Sequence, residues 1–221
     1  MKAMILAAGR GERMRPLTDE TPKPLLAAGG KPLIQYHIEA LSAAGVRQLV
    51  INHARQGMMI EASLGDGRDW GVEISYSAEG EAPLGTGGGI KKALPLLGED
   101  PFIVVNADIW TDFNFRSLPD RPDGLAHIVL VANPEHHPRG DFSLSGDRVG
   151  ESSQPRFTYS GIGVYTRELF SDSKNSVFPL PPLLRRAMGE DRVSGEIYRG
   201  RWYDIGTPDR LASINHILNS K

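Results

Sequence analysis

Three short runs constrain the fold of this chain more than anything else in it. Ala3 to Ala7, Leu49 to Asn52 and Phe102 to Val105 are apolar at nearly every position and too short to be helices. A strand buried on both faces has this pattern, whereas a strand with one wet face alternates. Between the runs come segments of helical spacing. After Lys31-Pro32, the positions Leu33, Ile34, His37/Ile38 and Leu41 share a face, and Gly45 fits a C-terminal cap. A short helix is predicted near Gln56–Leu64. Ile90, Ala93, Leu94 and Leu97 predict another over Gly89–Leu97, directly after a glycine run. Val72–Tyr76 and Ile128–Ala132 read as further strands. This alternation predicts an α/β fold: three α/β/α layers, Rossmann-like, around a mixed, mostly parallel sheet.

The pattern weakens between about Pro134 and Pro182, where prolines and serines surround short strand-like pieces such as Phe157–Tyr165. An added antiparallel edge is expected there, within one domain spanning residues 1–221. Order returns at Trp202-Tyr203-Asp204-Ile205-Gly206. Thr207 then serves as N-cap and Pro208 as first residue of a final helix with Leu211, Ile214 and Leu218 inward.

The 25 Lys and Arg against 27 Asp and Glu leave a net charge of −2, which argues against a nucleic-acid binder. The absence of cysteine excludes disulfides and thiolate–metal sites. No apolar stretch reaches the roughly 18 residues of a membrane helix, and the N-terminus lacks the long apolar region of a signal peptide. The expected setting is the cytoplasm. Charge is uneven, however. Residues 1–31 hold six basic side chains against three acids, while the remainder is acidic. Such a glycine-bearing, positive segment suits a phosphate-rich small ligand; the alternative is a solvated surface loop.

Ligands of parallel α/β sheets sit beyond the carboxyl ends of the strands, where Gly9-x-Gly11 and Asp108 fall. Met14 occupies the place of the third glycine of a dinucleotide fingerprint, which disfavours an NAD-dependent oxidoreductase, and no Lys-Ser/Thr follows to make a P-loop. Arg13, Arg15-Pro16-Leu17-Thr18 and Thr21-Pro22-Lys23-Pro24 follow instead. Glycine lets backbone N–H groups approach phosphate oxygens, and fixed cations offset the charge that builds during phosphoryl or nucleotidyl transfer.

The segment AAGRGERMRPLTDETPKPLL resembles the signature of the sugar-phosphate nucleotidylyltransferases (NDP-sugar pyrophosphorylases). Four later motifs extend the resemblance along the chain: Gly85-Thr86-Gly87-Gly88-Gly89, Val105-Asn106-Ala107-Asp108, Tyr159-Ser160-Gly161-Ile162 and Trp202–Pro208. It implies the nucleotide-diphospho-sugar transferase fold, with a nucleotide-binding half over about 1–110 and a sugar-binding half over about 111–221. Within the family, the short length, the Thr-Gly-Gly-Gly run and Gly140-Asp141-Phe142 resemble the bacterial uridylyltransferases of peptidoglycan sugar recycling. Mannose-1-phosphate guanylyltransferases share much of the pattern.

The resemblance implies UTP and a sugar 1-phosphate, N-acetylmuramic acid 1-phosphate foremost, as substrates and Mg²⁺ as cofactor. Asp108 and Asp204 would hold the ion, Arg13 would face the leaving pyrophosphate and Lys23 the α-phosphate. Ala8, Gly9, Gly11, Glu12, Gly85 and Gly88 would line the nucleotide, and Asn106, Gly140, Asp141, Glu151 and Gly161 the sugar. Glu12 stands where relatives commonly carry a small hydroxyl residue, so it is expected to point outward or to help position Arg13. A monomer is expected. No catalytic histidine or serine is required, because a sugar 1-phosphate already carries an anionic oxygen nucleophile. His136-His137, flanked by Pro134 and Pro138, reads as a loop, and Arg10 and Arg15 as peripheral. A non-catalytic nucleotide-binding module is the alternative of a different class.

Overall fold

The structure is a computed structural model that describes residues 1–151, 154–171, 173 and 175–220. Its first half runs through β1 (Lys2–Leu6), α1 (Leu17–Glu20), β2 (Ala27–Ala28), β3 (Lys31–Pro32), α2 (Leu33–Ala43), β4 (Gln48–His53), α3 (Gly57–Leu64), β5 (Glu73–Ala78), α4 (Gly85–Leu97) and β6 (Phe102–Asn106). Then come β7 (Ile109–Thr111), β8 (Ala126–Val131), β9 (Phe142–Ser145), β10 (Arg148–Gly150), β11 (Arg156–Tyr165), α5 (Pro181–Gly189), β12 (Val193–Tyr198), β13 (Trp202–Asp204) and α6 (Pro208–Asn219).

The three apolar runs become β1, β4 and β6, adjacent and parallel. They sit in a nine-stranded sheet of order β5-β4-β1-β6-β11-β8-β12-β10-β9. Alternate residues of each run serve opposite faces, as strand geometry requires. Ile5, Ile51 and Val105 pack with Ile34, Ile38 and Leu41 of α2 and Ile60 of α3. Met4, Val50 and Val104 pack with Ile90, Ala93 and Leu97 of α4 and Leu184 of α5. Two cores on one sheet make the three layers. A third, smaller cluster of Met14, Leu33, Trp110, Ile205, Leu211 and Ile214 ties the signature loop to α6. At the end of α2, Gly45 (φ +92°) lets Gly45 N–H reach Ser42 O and Val46 N–H reach Leu41 O, a Schellman closure. Thr207 caps α6 by accepting from Arg210 N at 3.4 Å.

Two expectations need correction. The antiparallel addition is not confined to the edge: β11 lies between β6 and β8, antiparallel to both, and only the β9–β10 hairpin is peripheral. Glycines interrupt the apolar run of β11, and Gly161 (φ +82°) sits at a register shift between Tyr159 and Ile162. That masks the signature of a buried strand. The second correction is to the start of the helix expected over Gly89–Leu97: the glycine run before it forms the first turns of α4, which begins at Gly85. Gly87, Gly88 and Gly89 are buried there, the first two under the segment leading to α5 and Gly89 against Glu79 and Asn52. A Cβ on Gly88 would lie 2.3 Å from Ser176 O, and one on Gly89 would lie 2.4 Å from Glu79 Oε1. Close packing, not local propensity, therefore selects glycine in a helix it otherwise weakens.

Candidate active site

The chain leaves β1 with Ala7 N–H donating to Asn52 Oδ1 at 2.9 Å. The glycines that follow differ in kind. Gly11 is left-handed (φ +63°), and a Cβ there would lie 2.8 Å from Thr18 Cγ2; its carbonyl accepts from Thr18 Oγ1 at 2.8 Å. Its demand is local geometry. Gly9 has no left-handed conformation and nothing within 4 Å of where a Cβ would stand, because it faces open space. That space is a cavity of about 460 Å³ bounded by Ala7, Ala8, Gly9, Lys23, Gly85, Asn106 and Asp108. A polar trough of about 320 Å³ shares the Ala7-Ala8-Gly9 wall and continues past Arg10, Glu12, Arg15 and Arg55. Glu12 points outward beside Arg10 (3.7 Å) and Arg15 pairs with Asp19 (3.2 Å).

Asp108 follows β6. The next strand, β7, pairs antiparallel with β13, which ends at Asp204; Asp204 stands opposite Ile109, and Ile205 N–H donates to Asp108 O at 2.8 Å. The two aspartates thus occupy neighbouring backbone positions despite their separation in sequence. Lys23, in a buried turn, sets Nζ 2.7 Å from Asp108 Oδ2. Asp204 meets Arg210 through Oδ2 and His136 Nε2 through Oδ1, the latter at 2.9 Å. A Cβ on Gly206 would lie 3.2 Å from Asp204 Oδ2 and 3.3 Å from Arg13 Nη2, so the Arg13 guanidinium borders the same turn. Arg13, Lys23, Asp108 and Asp204 converge on one end of the sheet.

The other nominated residues divide. Gly161 faces Asn106, with a Cβ there only 2.6 Å from Asn106 Nδ2, and Asn106 lines the cavity. Gly85 also lines it, whereas Gly88 is buried with its N–H donating to Phe178 O at 3.1 Å. Gly140 (φ +62°) abuts Asn133 and the Phe157 backbone. Asp141 is occupied by His137 Nε2 (3.0 Å) and Tyr159 N–H (2.8 Å), and Glu151 by Arg185 Nε (2.8 Å). None of Gly88, Gly140, Asp141 and Glu151 lines the cavity. The neighbouring Ser152 and Ser153 lie outside the described residues.

Sequence reasoning missed three polar groups. Asn52 and Glu79, both buried, line the cavity, and Glu79 accepts from Asn52 Nδ2 and from Leu84 N–H, each at 2.6 Å. Their position at the carboxyl ends of β4 and β5 was an available signal. His37, read only as a helix-face position, is buried with Nε2 2.9 Å from Ile109 O. Burial lowers its pKa to about 4, so it is a neutral imidazole that donates to that carbonyl and pins α2 to the strand following Asp108.

The donor set suits a hard divalent cation. Asp108 Oδ1 carries no hydrogen bond among the described residues, and the Asp108 side chain is 44% exposed. No group of three or more His, Cys, Asp or Glu poised for a metal occurs among the described residues. Two carboxylates completed by phosphate oxygens and water is how proteins commonly hold Mg²⁺. Asp108 and Asp204 are the residues that would hold it.

A sequence model described as nucleotidyl transferase matches residues 2–142. The chain belongs to the nucleotidyl transferase family. It is 52% identical to the N-acetylmuramate alpha-1-phosphate uridylyltransferase of Neisseria meningitidis, over 96% of this chain and 95% of that protein. The enzyme of the same name from Caulobacter vibrioides is 35% identical over 93% and 92%. The mannose-1-phosphate guanyltransferase of Yarrowia lipolytica is 38% identical over 96% of this chain and 62% of that protein. Among solved structures, a Bacillus anthracis protein described as a putative glucose-1-phosphate thymidylyltransferase superposes at 22% identity with a TM-score of 0.87, covering 100% of this chain and 96% of the other. HddC from Yersinia pseudotuberculosis superposes at 21% identity with a TM-score of 0.75, covering 98% of each. The nucleotidyl transferase fold is thereby shared, and the chain is a sugar-phosphate nucleotidyltransferase. No helix among its described residues is long and apolar enough to cross a membrane.

Proposed function

We infer that this enzyme transfers UMP from UTP to a sugar 1-phosphate, with N-acetylmuramic acid 1-phosphate as acceptor, yielding the UDP-sugar and pyrophosphate. The observation that carries this reading is the meeting of Lys23, Asp108, Asp204 and Arg13 beside a cavity walled by Ala7, Ala8 and Gly9. A phosphate oxygen of the sugar attacks the α-phosphorus, and the bond from that phosphorus to the β-bridging oxygen breaks in line. The attacking oxygen is already an anion, so no base is needed; the barrier lies in bringing two anions together. Asp108 and Asp204 would hold Mg²⁺, which would supply charge neutralisation to the phosphates. Lys23, held against Asp108, offers a fixed cation at the α-phosphate, and Arg13 offers one to the departing pyrophosphate. Fixed donors of this kind are typically worth about 10²–10³ in rate.

The 460 Å³ cavity takes the nucleoside and the acceptor sugar, and the outer phosphates extend past its Ala7-Ala8-Gly9 wall toward Arg13. Both halves form one catalytic domain, since their strands share one sheet. The protein acts as a cytoplasmic monomer in the recycling of peptidoglycan sugars. Pyrophosphate release over a panel of UTP, GTP and dTTP with muramic, glucosamine, glucose and mannose 1-phosphates tests this. UTP with N-acetylmuramic acid 1-phosphate is expected to give the highest kcat/KM, and silence with every pair defeats the reading.

One observation favours a second reading, GTP with mannose 1-phosphate. The Glu79 carboxylate, which only accepts hydrogen bonds, lines the cavity. Guanine presents two adjacent donor groups, N1–H and N2–H, whereas uracil presents a single N3–H between carbonyls. The same panel separates the two.

A further inference from the structure

The loop between β8 and β9 reaches from the acceptor half of the molecule to the paired aspartates, and His136 is the residue it delivers. The loop is braced internally. His137 N–H donates to Pro134 O at 2.8 Å, Asn133 Nδ2 donates to Pro138 O at 3.2 Å and to Arg156 O at 3.0 Å, and His137 Nε2 is 3.0 Å from Asp141 Oδ1. On this frame His136 Nε2 stands 2.9 Å from Asp204 Oδ1, and its side chain is 39% exposed. It makes no other polar contact among the described residues. Asp204 does not depend on it, because Arg210 already holds Oδ2 from α6.

We propose that His136 binds the phosphate of the incoming sugar 1-phosphate, an assignment that rests on the nucleotidyl-transfer reading above. A carboxylate oxygen turned toward a divalent ion no longer faces the imidazole. The imidazole beside Asp204 Oδ1 is then free to meet another anion, and the anions that gather beside Asp108 and Asp204 are phosphates. Arg13, Lys23 and the trough arginines all lie on the nucleotide half. His136 comes from the loop between β8 and β9, outside the segments that carry those cations, and so is placed to serve the second anion. The imidazole is chemically suited to this role. An N–H on a braced loop, partly open to solvent, requires little reorganisation to accept a new anionic partner.

The test measures KM for UTP and for the sugar 1-phosphate separately in wild type, His136→Ala and His136→Asn. Calorimetry adds Mg²⁺ binding, and sugar 1-phosphate binding in the presence of an α,β-methylene UTP analogue. Loss of one hydrogen bond to a charged group should weaken sugar 1-phosphate binding about tenfold in His136→Ala, with KM for UTP within about twofold. His136→Asn, which keeps an N–H donor, should recover part of the loss. Unchanged sugar 1-phosphate affinity overturns the proposal. So does a change confined to Mg²⁺ affinity and KM for UTP, since that is what a residue merely holding Asp204 would produce. An inactive wild type with every sugar 1-phosphate would instead defeat the underlying reading, so the two failures are distinguishable.

Discussion

Lys23 and Asp108 stand 85 residues apart in sequence and meet at 2.7 Å, Nζ against Oδ2. The contact is asymmetric. The lysine side chain is 9% exposed and the aspartate 44%, so the acid compensates a cation with little access to water while keeping its own second oxygen open.

Asp108→Asn is therefore expected to lower turnover about 10²–10³-fold with a modest change in nucleotide binding. It should also reduce stability by about 1–2 kcal/mol, because Lys23 loses its counter-charge and the aspartate's solvent access limits the loss. Steady-state kinetics, nucleotide titration and thermal unfolding check these outcomes. Full turnover in the variant would remove Asp108 from the catalytic machinery.

Gly9 and Gly88 should respond oppositely to alanine. Gly9→Ala meets no protein atom and no forbidden backbone region, so stability should stay within about 0.5 kcal/mol while KM for the nucleotide rises as the methyl enters the cavity. Gly88→Ala drives a methyl to 2.3 Å from Ser176 O and disturbs the Gly88 N–H to Phe178 O bond. The clash, costing about 1–3 kcal/mol, exceeds the helix-propensity gain of about 1 kcal/mol. Denaturant unfolding should show a net loss.

Glu79→Gln keeps the shape of the side chain and removes the charge that faces the cavity. The amide NH₂ replaces an oxygen that accepts from Asn52 Nδ2 or Leu84 N–H, which costs about 1–3 kcal/mol of stability, and guanine loses an acceptor for its paired donors while uracil does not. The ratio of kcat/KM for UTP over GTP should rise about tenfold, read from parallel assays with both nucleotides.

His37 makes stability depend on pH. Its native pKa of about 4 lies below the ordinary 6.5, so between these values the unfolded chain binds a proton that the native protein refuses. Stability from this group is therefore highest above about pH 6.5 and falls by about 3 kcal/mol as pH drops toward 4. His37→Gln should flatten that part of a thermal-midpoint profile; an unchanged slope would show that other groups set it.

Much of the molecule is written locally. The runs at Ala3, Leu49 and Phe102 specify parallel strands because only a strand covered on both faces is apolar at each position, and Thr207-Pro208 starts α6 because its capping chemistry is local. Arg13, Lys23, Asp108 and Asp204 are nominated through the resemblance of their motifs to those of a family, and the fold brings them to one end of the sheet. Tertiary structure alone decided the rest. The glycines at 87–89 are crowded by groups distant in sequence, Phe178 and Ser176 on one side and Glu79 on the other, and β11 entered the sheet centre although its glycines hide the pattern. Glu79 reached Asn52, and His136 reached Asp204, by folding. Periodicity reports which face of an element is buried; it carries no record of which partner a polar side chain meets across the fold, since that depends on the register and stacking of all the layers together.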